Sequence, residues 1–116
     1  MIKLCALKPM PGAVRWLEAL EGRPDDFDWD AGNRAKNLKH EVNPADVEAL
    51  LAHPILFAGR IVEPVHDEPR WALLGIDASG RHLALIFTRR GVRLRPISCR
   101  PMRRNERRMY EEEVHD

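Results

Sequence analysis

The hydrophobic positions before Pro54 follow the three-to-four-residue spacing of short helices. Pro11 and Gly22 bound the first of these segments with start and stop signals. Asp30 is suited to cap the next helix, and Asn43 followed by proline is suited to begin a third. The pattern predicts helices over about residues 12–21, 31–40 and 44–53.

After Pro54 the chain changes to short segments that are rich in β-branched and aliphatic residues and separated by turn signals. This pattern predicts three or four antiparallel strands. A last segment, about residues 103–112, predicts a C-terminal helix that packs through Met109 and Tyr110. The sequence therefore predicts an α+β domain, in which two or three helices precede a small antiparallel sheet and one helix follows it. The predicted strands are ILFAGRIV (55–62), RWALLGI (70–76), RHLALIFTRR (81–90) and VRLRPISCR (92–100).

Length and composition limit the classes of protein. With 116 residues, of which 44% are hydrophobic, the chain has enough apolar surface for one small core. Lys3, Lys8 and Pro9 interrupt the apolar residues at the N-terminus, and no apolar run approaches the roughly 18 residues that would span a membrane. Cys5 and Cys99 are far apart in the chain, so two reduced thiols and a cytoplasmic location are expected.

Candidate metal ligands do not occur at the usual spacings. The five histidines form no HxH or HExxH pattern, and none stands at ligand spacing from a cysteine. We therefore predict neither a metal nor a cofactor.

Charge is concentrated in one segment. Residues 89–108 contain nine arginines and one acid, a local charge of +8 in a chain whose net charge is +1. A planar guanidinium binds phosphate or carboxylate oxygens in pairs and stays charged at any working pH. The segment predicts an anion-binding surface for a phosphodiester backbone or an acidic protein. The alternative is a solvated edge strand whose arginines pair with acids elsewhere.

The register of the last strand decides which arginines share a surface. Side chains alternate along a regular strand, which would place Arg95 and Arg100 on opposite faces. If both belong to one site, the strand must bulge or end between them. Pro96 is a suitable position for this break because proline donates no hydrogen bond to a sheet.

Four other kinds of side chain have a functional and a structural interpretation. His40 is either an exposed or helix-capping imidazole or a base, because histidine accepts protons near neutrality. Ser98 lacks the GxSxG context of a nucleophile, and a strand hydroxyl bonded to backbone is the alternative. Cys99 is either an activated thiol or a small buried residue. We expect the three tryptophans to pack in the fold rather than to stack on bases, because aromatic residues are few. They are Trp16, Trp29 and Trp71.

The order of several short motifs resembles the BrnT family of toxins from bacterial type II toxin-antitoxin pairs. The resemblance extends over about residues 27–112, and its specificity lies in the order and spacing of the motifs together. The motifs are Phe27-Asp28-Trp29-Asp30, Asn37-Leu38-Lys39-His40-x-Val42, Val47-Glu48-Ala49, His53-Pro54, Arg70-Trp71, Gly75, Gly80-Arg81, Thr88-x-Arg90-Gly91, Arg95-x-Ile97-Ser98-x-Arg100-Pro101-Met102 and Glu106-Arg107.

The resemblance implies a RelE-like fold and a small ribonuclease that arrests growth by cutting RNA. It also implies a co-expressed BrnA-like antitoxin of the ribbon-helix-helix class, which wraps the toxin and binds DNA, so that DNA is contacted only through the complex. On this basis residues 1–26 are expected to form an N-terminal extension with a short helix, and residues 27–116 the toxin domain.

The sequence departs from the family pattern at three positions that matter below. Asn33 stands where relatives usually have lysine, and Glu41 stands where the usual Lys-His-Gly has glycine. Pro96 replaces an expected β-branched residue.

RNA cleavage of this kind needs no protein nucleophile because RNA supplies its own 2′-hydroxyl. The protein has to orient that hydroxyl, neutralise charge on the phosphorane and move protons. Arg95 and Arg100 are the candidates for the scissile phosphate, with Ser98 for positioning and His40 as the base. A 2′,3′-cyclic phosphate or a 3′-phosphate is the expected product end. Flanking phosphates are assigned to Arg81, Arg93, Arg103 and Arg104.

Two other functions are compatible with the basic segment. One is a nucleic-acid-binding protein without catalysis, which predicts a steep loss of affinity with salt. The other is a degenerate toxin or a protein-interaction module whose basic face binds an acidic partner.

Overall fold

A computed structural model of the chain describes residues 3–4, 26–36, 40–53, 55–63 and 68–114. The helix predicted over residues 12–21 lies outside these ranges. The described part is an α+β fold, as predicted, with two helices before the main strands and one after them. In chain order its elements are β1 (Lys3–Leu4), α1 (Ala31–Ala35), α2 (Pro44–Leu50), β2 (Leu56–Glu63), β3 (Trp71–Ile76), β4 (His82–Arg90), β5 (Arg93–Pro101) and α3 (Arg104–Glu113).

Side-chain caps begin the two short helices. The carboxylate of Asp30 accepts a hydrogen bond from the Asn33 amide at 2.9 Å, and the Asn33 side chain accepts from the Asp30 amide at 2.6 Å. At α2 the Asp46 carboxylate accepts from the Asn43 amide at 2.8 Å. Each contact satisfies a backbone donor that the first helical turn leaves unpaired. Both predicted starts are confirmed, although α1 ends earlier than predicted.

The strands form an antiparallel sheet in the order β1-β2-β3-β4-β5. The four predicted strands are β2 to β5. The two-residue strand β1 pairs with β2 and was not predicted. From β2 to β5, each strand pairs with the next strand in the chain. The basic β5 therefore forms the edge of the sheet opposite β1.

Both faces of β4 are buried, which explains its nearly continuous run of apolar residues. Leu83, Leu85 and Phe87 pack with residues of α2 on one face, called the α2 face below. Ala84 and Ile86 pack with Tyr110 of α3 on the other, the α3 face. The sheet is therefore the middle layer between two helices.

A β-bulge in β5 brings its arginines to one face. Phe87 pairs with Pro96 and Ile86 pairs with Ser98, so Ile97 has no residue opposite it on β4. The extra residue reverses the alternation of side chains beyond it. Arg95 and Arg100 therefore both lie on the α3 face. The predicted distortion beside Pro96 is confirmed.

None of the helices in the described ranges is long and apolar enough to cross a membrane.

Candidate nucleic-acid interface

A row of polar side chains crosses the α3 face of the sheet at its end near Arg95. Arg95 pairs with Thr88 on β4. Arg70 directly precedes Trp71, which pairs with Phe87 of β4. Arg70 therefore lies beside Thr88, on the side of β4 away from Arg95. The Thr88 hydroxyl donates to the Pro69 carbonyl at 2.7 Å and holds this segment in place. Two arginines thus flank one threonine on the same surface.

Arg70 and Arg95 of this row line one wall of a cleft of about 860 Å³, and residues of α1 line another. Four cationic and two acidic side chains line the cleft, which gives the lining a positive charge. These six are Lys36, Arg70, Arg90, Arg95, Asp30 and Glu68.

Arg95 is held at the edge of the cleft by two carboxylates. Its Nη2 lies 2.6 Å from Asp30 Oδ2, and its Nη1 lies 3.5 Å from Asp28 Oδ2. The bond to Asp30 raises the pKa of Arg95. The pKa of Asp30 is lowered, first by its hydrogen bond from the Asn33 amide and then by Arg95. The Arg95 side chain is 21% exposed, so solvent reaches part of it.

Asn33 attaches α1 to the bulge. Its amide nitrogen donates to the Asp28 carbonyl at 2.9 Å and to the Pro96 carbonyl at 3.0 Å. Asn33 and Pro96 are two of the departures from the resembled family's pattern, and here they contact each other directly. The wall of the cleft therefore depends on the Asn33 side chain, whose two acceptors are backbone carbonyls.

Arg70 and Arg90 are less fully paired. Arg70 Nε is buried without a hydrogen-bond partner among the described residues. Arg90 reaches Glu68 at 3.3 and 3.4 Å, longer than the roughly 2.7–2.9 Å of a strong charge-assisted hydrogen bond. Both guanidinium groups retain capacity for an added anion.

Arg100 forms a nearly buried ion pair with Glu106. Its two terminal nitrogens lie 2.7 and 2.9 Å from the two carboxylate oxygens, and the side chains are 15% and 5% exposed. Glu106 also accepts from the Arg103 amide at 2.7 Å. Burial acts to raise the pKa of Glu106, but these hydrogen bonds outweigh it and lower the pKa. The pair fixes the start of α3 to β5.

Ser98 lies between the two arginines on the same face, since it pairs with Ile86. The predicted group of Arg95, Ser98 and Arg100 is therefore brought together on one surface. At about 3.4 Å per residue, Arg95 and Arg100 are separated by roughly 13 Å along the strands.

Arg81 and His40 lie elsewhere. The Arg81 guanidinium contacts Asp77 at 2.7 Å, Asp46 of α2 at 3.1 Å and the Glu41 carbonyl at 2.9 Å. These bonds raise the pKa of Arg81, chiefly through Asp77. His40 belongs to the same segment, and Val42 beyond it packs on the α2 face. The structure thus places these two predicted site residues on the side opposite Arg95 and Arg100.

The backbone of this segment is left-handed at one residue. Glu41 has a φ of 58°, in the left-handed region that favours glycine, and it occupies the position where the resembled family has glycine.

The arginines of residues 89–108 differ in the acidic side chains that pair with them and in their exposure. Four of the nine arginines form ion pairs with acids, which agrees with the alternative interpretation of the sequence for those residues: Arg90, Arg95, Arg100 and Arg107. The other five are exposed, namely Arg89, Arg93, Arg103, Arg104 and Arg108.

Cys99, Trp29 and Trp71 have the packing roles that the sequence predicted. Burial raises the pKa of Cys99 to about 12, so the thiol is a packing residue rather than an activated nucleophile. Trp29 stacks on Phe27 and donates to Glu48 at 2.8 Å, and Trp71 packs against Phe87. Within the described ranges, no group of three or more histidine, cysteine, aspartate or glutamate side chains is arranged to hold a metal. Other residues weighed above lie outside those ranges: Cys5, Trp16, His66 and His115.

Sequence reasoning did not assign Arg70, Arg90 or Lys36 to the site. The sequence did contain one indication of their importance, since Arg70 and Arg90 belong to the motifs that resemble the BrnT family. Their placement beside Arg95 requires the register of three strands, which local patterns do not specify.

Comparison with known proteins gives one match. The family model described as the ribonuclease toxin BrnT of type II toxin-antitoxin systems matches residues 29–106. This span contains every residue of the cleft and both arginines of the predicted phosphate site. No curated protein and no solved structure matches the chain.

Proposed function

The chain belongs to the BrnT family of ribonuclease toxins of type II toxin-antitoxin systems, and on this basis we propose that it cuts RNA internally by attack of the 2′-hydroxyl on the adjacent phosphorus. The reaction leaves a 2′,3′-cyclic phosphate, or a 3′-phosphate after hydrolysis, and a free 5′-hydroxyl. It requires neither a metal nor a protein nucleophile, because the RNA supplies the attacking oxygen.

The observation that carries this proposal is the bulge that directs Arg95 and Arg100 to one face with Ser98 between them. Arg95 and Arg100 approach the scissile phosphate from two sides and neutralise the charge that develops on the phosphorane. Glu106 uses two of the five Arg100 donors and the Pro101 carbonyl uses a third, so two donors remain for RNA. Ser98 orients the phosphate from the middle of the strand.

Flanking phosphates are bound by the exposed arginines around this face. Arg93 lies at the start of β5, and Arg103 and Arg104 lie at the start of α3. Arg81 serves the RNA beyond the end of β4, where its carboxylate partners keep it in position.

For proton transfer we propose His40. A base must reach the 2′-hydroxyl beside the scissile phosphate, whereas the segment of His40 lies on the side of the sheet opposite Arg95 and Arg100, so the cleavage rate of His40→Ala decides whether it serves. If the base lies elsewhere, replacing His40 by alanine will leave the rate of cleavage unchanged.

The natural partner of a type II toxin is an antitoxin. We propose a BrnA-like protein with a ribbon-helix-helix domain, which covers the basic face and brings the complex to DNA. Cleavage of cytoplasmic RNA by the uncovered toxin then arrests growth.

The test is to incubate the purified chain with RNA and to identify the product ends. Wild type is expected to leave cyclic or 3′-phosphate ends, and Arg95→Ala to cut at least tenfold more slowly at equal folded concentration. Intact RNA with the wild-type protein would reject the proposed reaction. Binding of RNA without cleavage would favour a non-catalytic nucleic-acid-binding protein.

A further inference from the structure

We propose that Arg70, with Arg90 and Arg95, forms a phosphate-binding subsite in the cleft beside α1, and that it takes a backbone phosphate of the RNA next to the cleavage point. The choice of RNA as ligand rests on the proposed function. The oxyanion specificity rests on the geometry of the cleft.

The buried nitrogen of Arg70 is the first argument. Arg70 Nε has no hydrogen-bond partner among the described residues. A buried donor left unpaired costs about 1–3 kcal/mol, and more when the group is charged. Such donors are uncommon in folded proteins and indicate a missing partner. Arg70 lines the cleft, so a small shift of its side chain would bring this donor to a phosphate oxygen there.

The position of Arg70 relative to Arg95 is the second argument. Both flank Thr88 on the α3 face, and neighbouring strands are about 4.8 Å apart, so their Cα atoms are roughly 10 Å apart. Two arginine side chains on one surface can converge across this span on a single phosphate group. The bond from Thr88 to the Pro69 carbonyl fixes the backbone next to Arg70 and limits its freedom.

The charge of the cleft is the third argument. Four cations face two carboxylates, and Glu68 holds Arg90 only through contacts of 3.3 and 3.4 Å. Asp30 holds Arg95 more tightly, at 2.6 Å, but is also the N-cap of α1 and remains in place through Asn33. A phosphate entering the cleft therefore gains Arg70 and Arg90 first and then shares Arg95 with Asp30.

An RNA phosphate fits better than an acidic peptide because the cleft continues the surface assigned to the scissile phosphate. Arg95 belongs to both the cleft and the site assigned to the scissile phosphate, so one strand of RNA can place successive phosphates in the cleft and at that site. Arg70 is accordingly a binding and positioning residue, and it need not act on the reacting atoms.

Binding of an uncleavable RNA, a short 2′-O-methyl oligonucleotide, tests this without dependence on catalysis. We expect Arg70→Gln to weaken binding about tenfold, equivalent to about 1.4 kcal/mol. Arg70→Lys should restore only part of the affinity because an ammonium group lacks the guanidinium fork. The matched control is Arg108→Gln, which removes the same charge from an exposed position on α3 and should change affinity less than threefold.

Thermal unfolding separates binding from a structural role. Because Arg70 Nε has no hydrogen-bond partner among the described residues, Arg70→Gln should not lower the melting temperature, while it should reduce the rise that the oligonucleotide causes in wild type. A lower melting temperature in the absence of ligand would contradict the subsite. Equal affinity losses for the Arg70 and Arg108 variants would also contradict it.

Failures of the two proposals are distinguishable. If wild type does not cut RNA but binds the oligonucleotide through Arg70, the ribonuclease proposal falls and the subsite stands. If wild type cuts RNA and Arg70→Gln binds and cuts equally well, the subsite falls. Arg70-dependent binding of polyglutamate in place of the oligonucleotide would overturn the assignment to RNA.

Discussion

Removing the Arg100 side chain should destabilise the fold strongly, because it leaves a nearly buried carboxylate without its ionic partner. Glu106 is 5% exposed, and it keeps only the hydrogen bond from the Arg103 amide after Arg100→Ala. Breaking one side of a buried ion pair costs about 3–5 kcal/mol. Arg100 is 15% exposed, so solvent already reaches part of the pair, and we expect about 3 kcal/mol.

The measurement is the free energy of unfolding from urea denaturation at pH 7 for wild type, Arg100→Ala, Glu106→Gln and the double variant Arg100→Met/Glu106→Leu. The double variant removes both charges and should recover most of the lost stability, because well-packed apolar residues often replace a buried pair without loss. A loss below 1 kcal/mol for Arg100→Ala would refute the reasoning. So would a double variant whose loss equals the sum of the two single losses.

The same pair predicts a dependence on pH. The pKa of Glu106 is lowered in the folded protein, so its contribution is fully present above the pKa of the unfolded chain and is lost as pH falls through the folded pKa. The stability difference between wild type and Glu106→Gln should therefore be constant near neutrality and shrink in acid below about pH 4. A difference that grows in acid would contradict this assignment.

Three further predictions concern single residues. Asn33→Ala removes the hydrogen bonds between α1 and the bulge and should lower the free energy of unfolding by about 2 kcal/mol, whereas the exposed Asn105→Ala should change it by less than about 0.5 kcal/mol in the same urea titration. Glu41→Gly should be about 1 kcal/mol more stable than Glu41→Ala by thermal unfolding, because φ is 58° there; equal stabilities would show that the left-handed backbone carries no strain. In a Cys5→Ser background, Cys99 should react with a thiol reagent at pH 8 only in denaturant, since burial raises its pKa to about 12, and rapid reaction of the folded protein would disprove this.

Local patterns predicted the elements of the described core well. The caps at Asp30 and Asn43 are contacts between residues three apart, and the sequence displays both partners. The change from helical to alternating spacing after Pro54 reflects side-chain geometry within each segment. The bulge beside Pro96 was predicted on the condition that Arg95 and Arg100 belong to one site, because a regular strand would place them on opposite faces. The order of motifs was enough to indicate the BrnT family.

Charge alone could not show which arginines are available to a ligand. Arg100 and Arg81 are equivalent to the exposed arginines in the sequence, but in the structure Glu106 and Asp77 hold them. Arg70 is the opposite case, since its buried nitrogen has no partner among the described residues. These differences arise from contacts between residues distant in the chain.

The sequence by itself therefore determined the types of element, their order and the family. The tertiary structure decided which charges are neutralised, placed His40 on the α2 face and brought Arg70 beside Arg95. The physical reason is that helix caps and side-chain alternation depend on neighbours in the chain. Strand register and ion pairing depend instead on how the whole sheet aligns, and a shift of one residue in β5 would reverse the face that its arginines occupy.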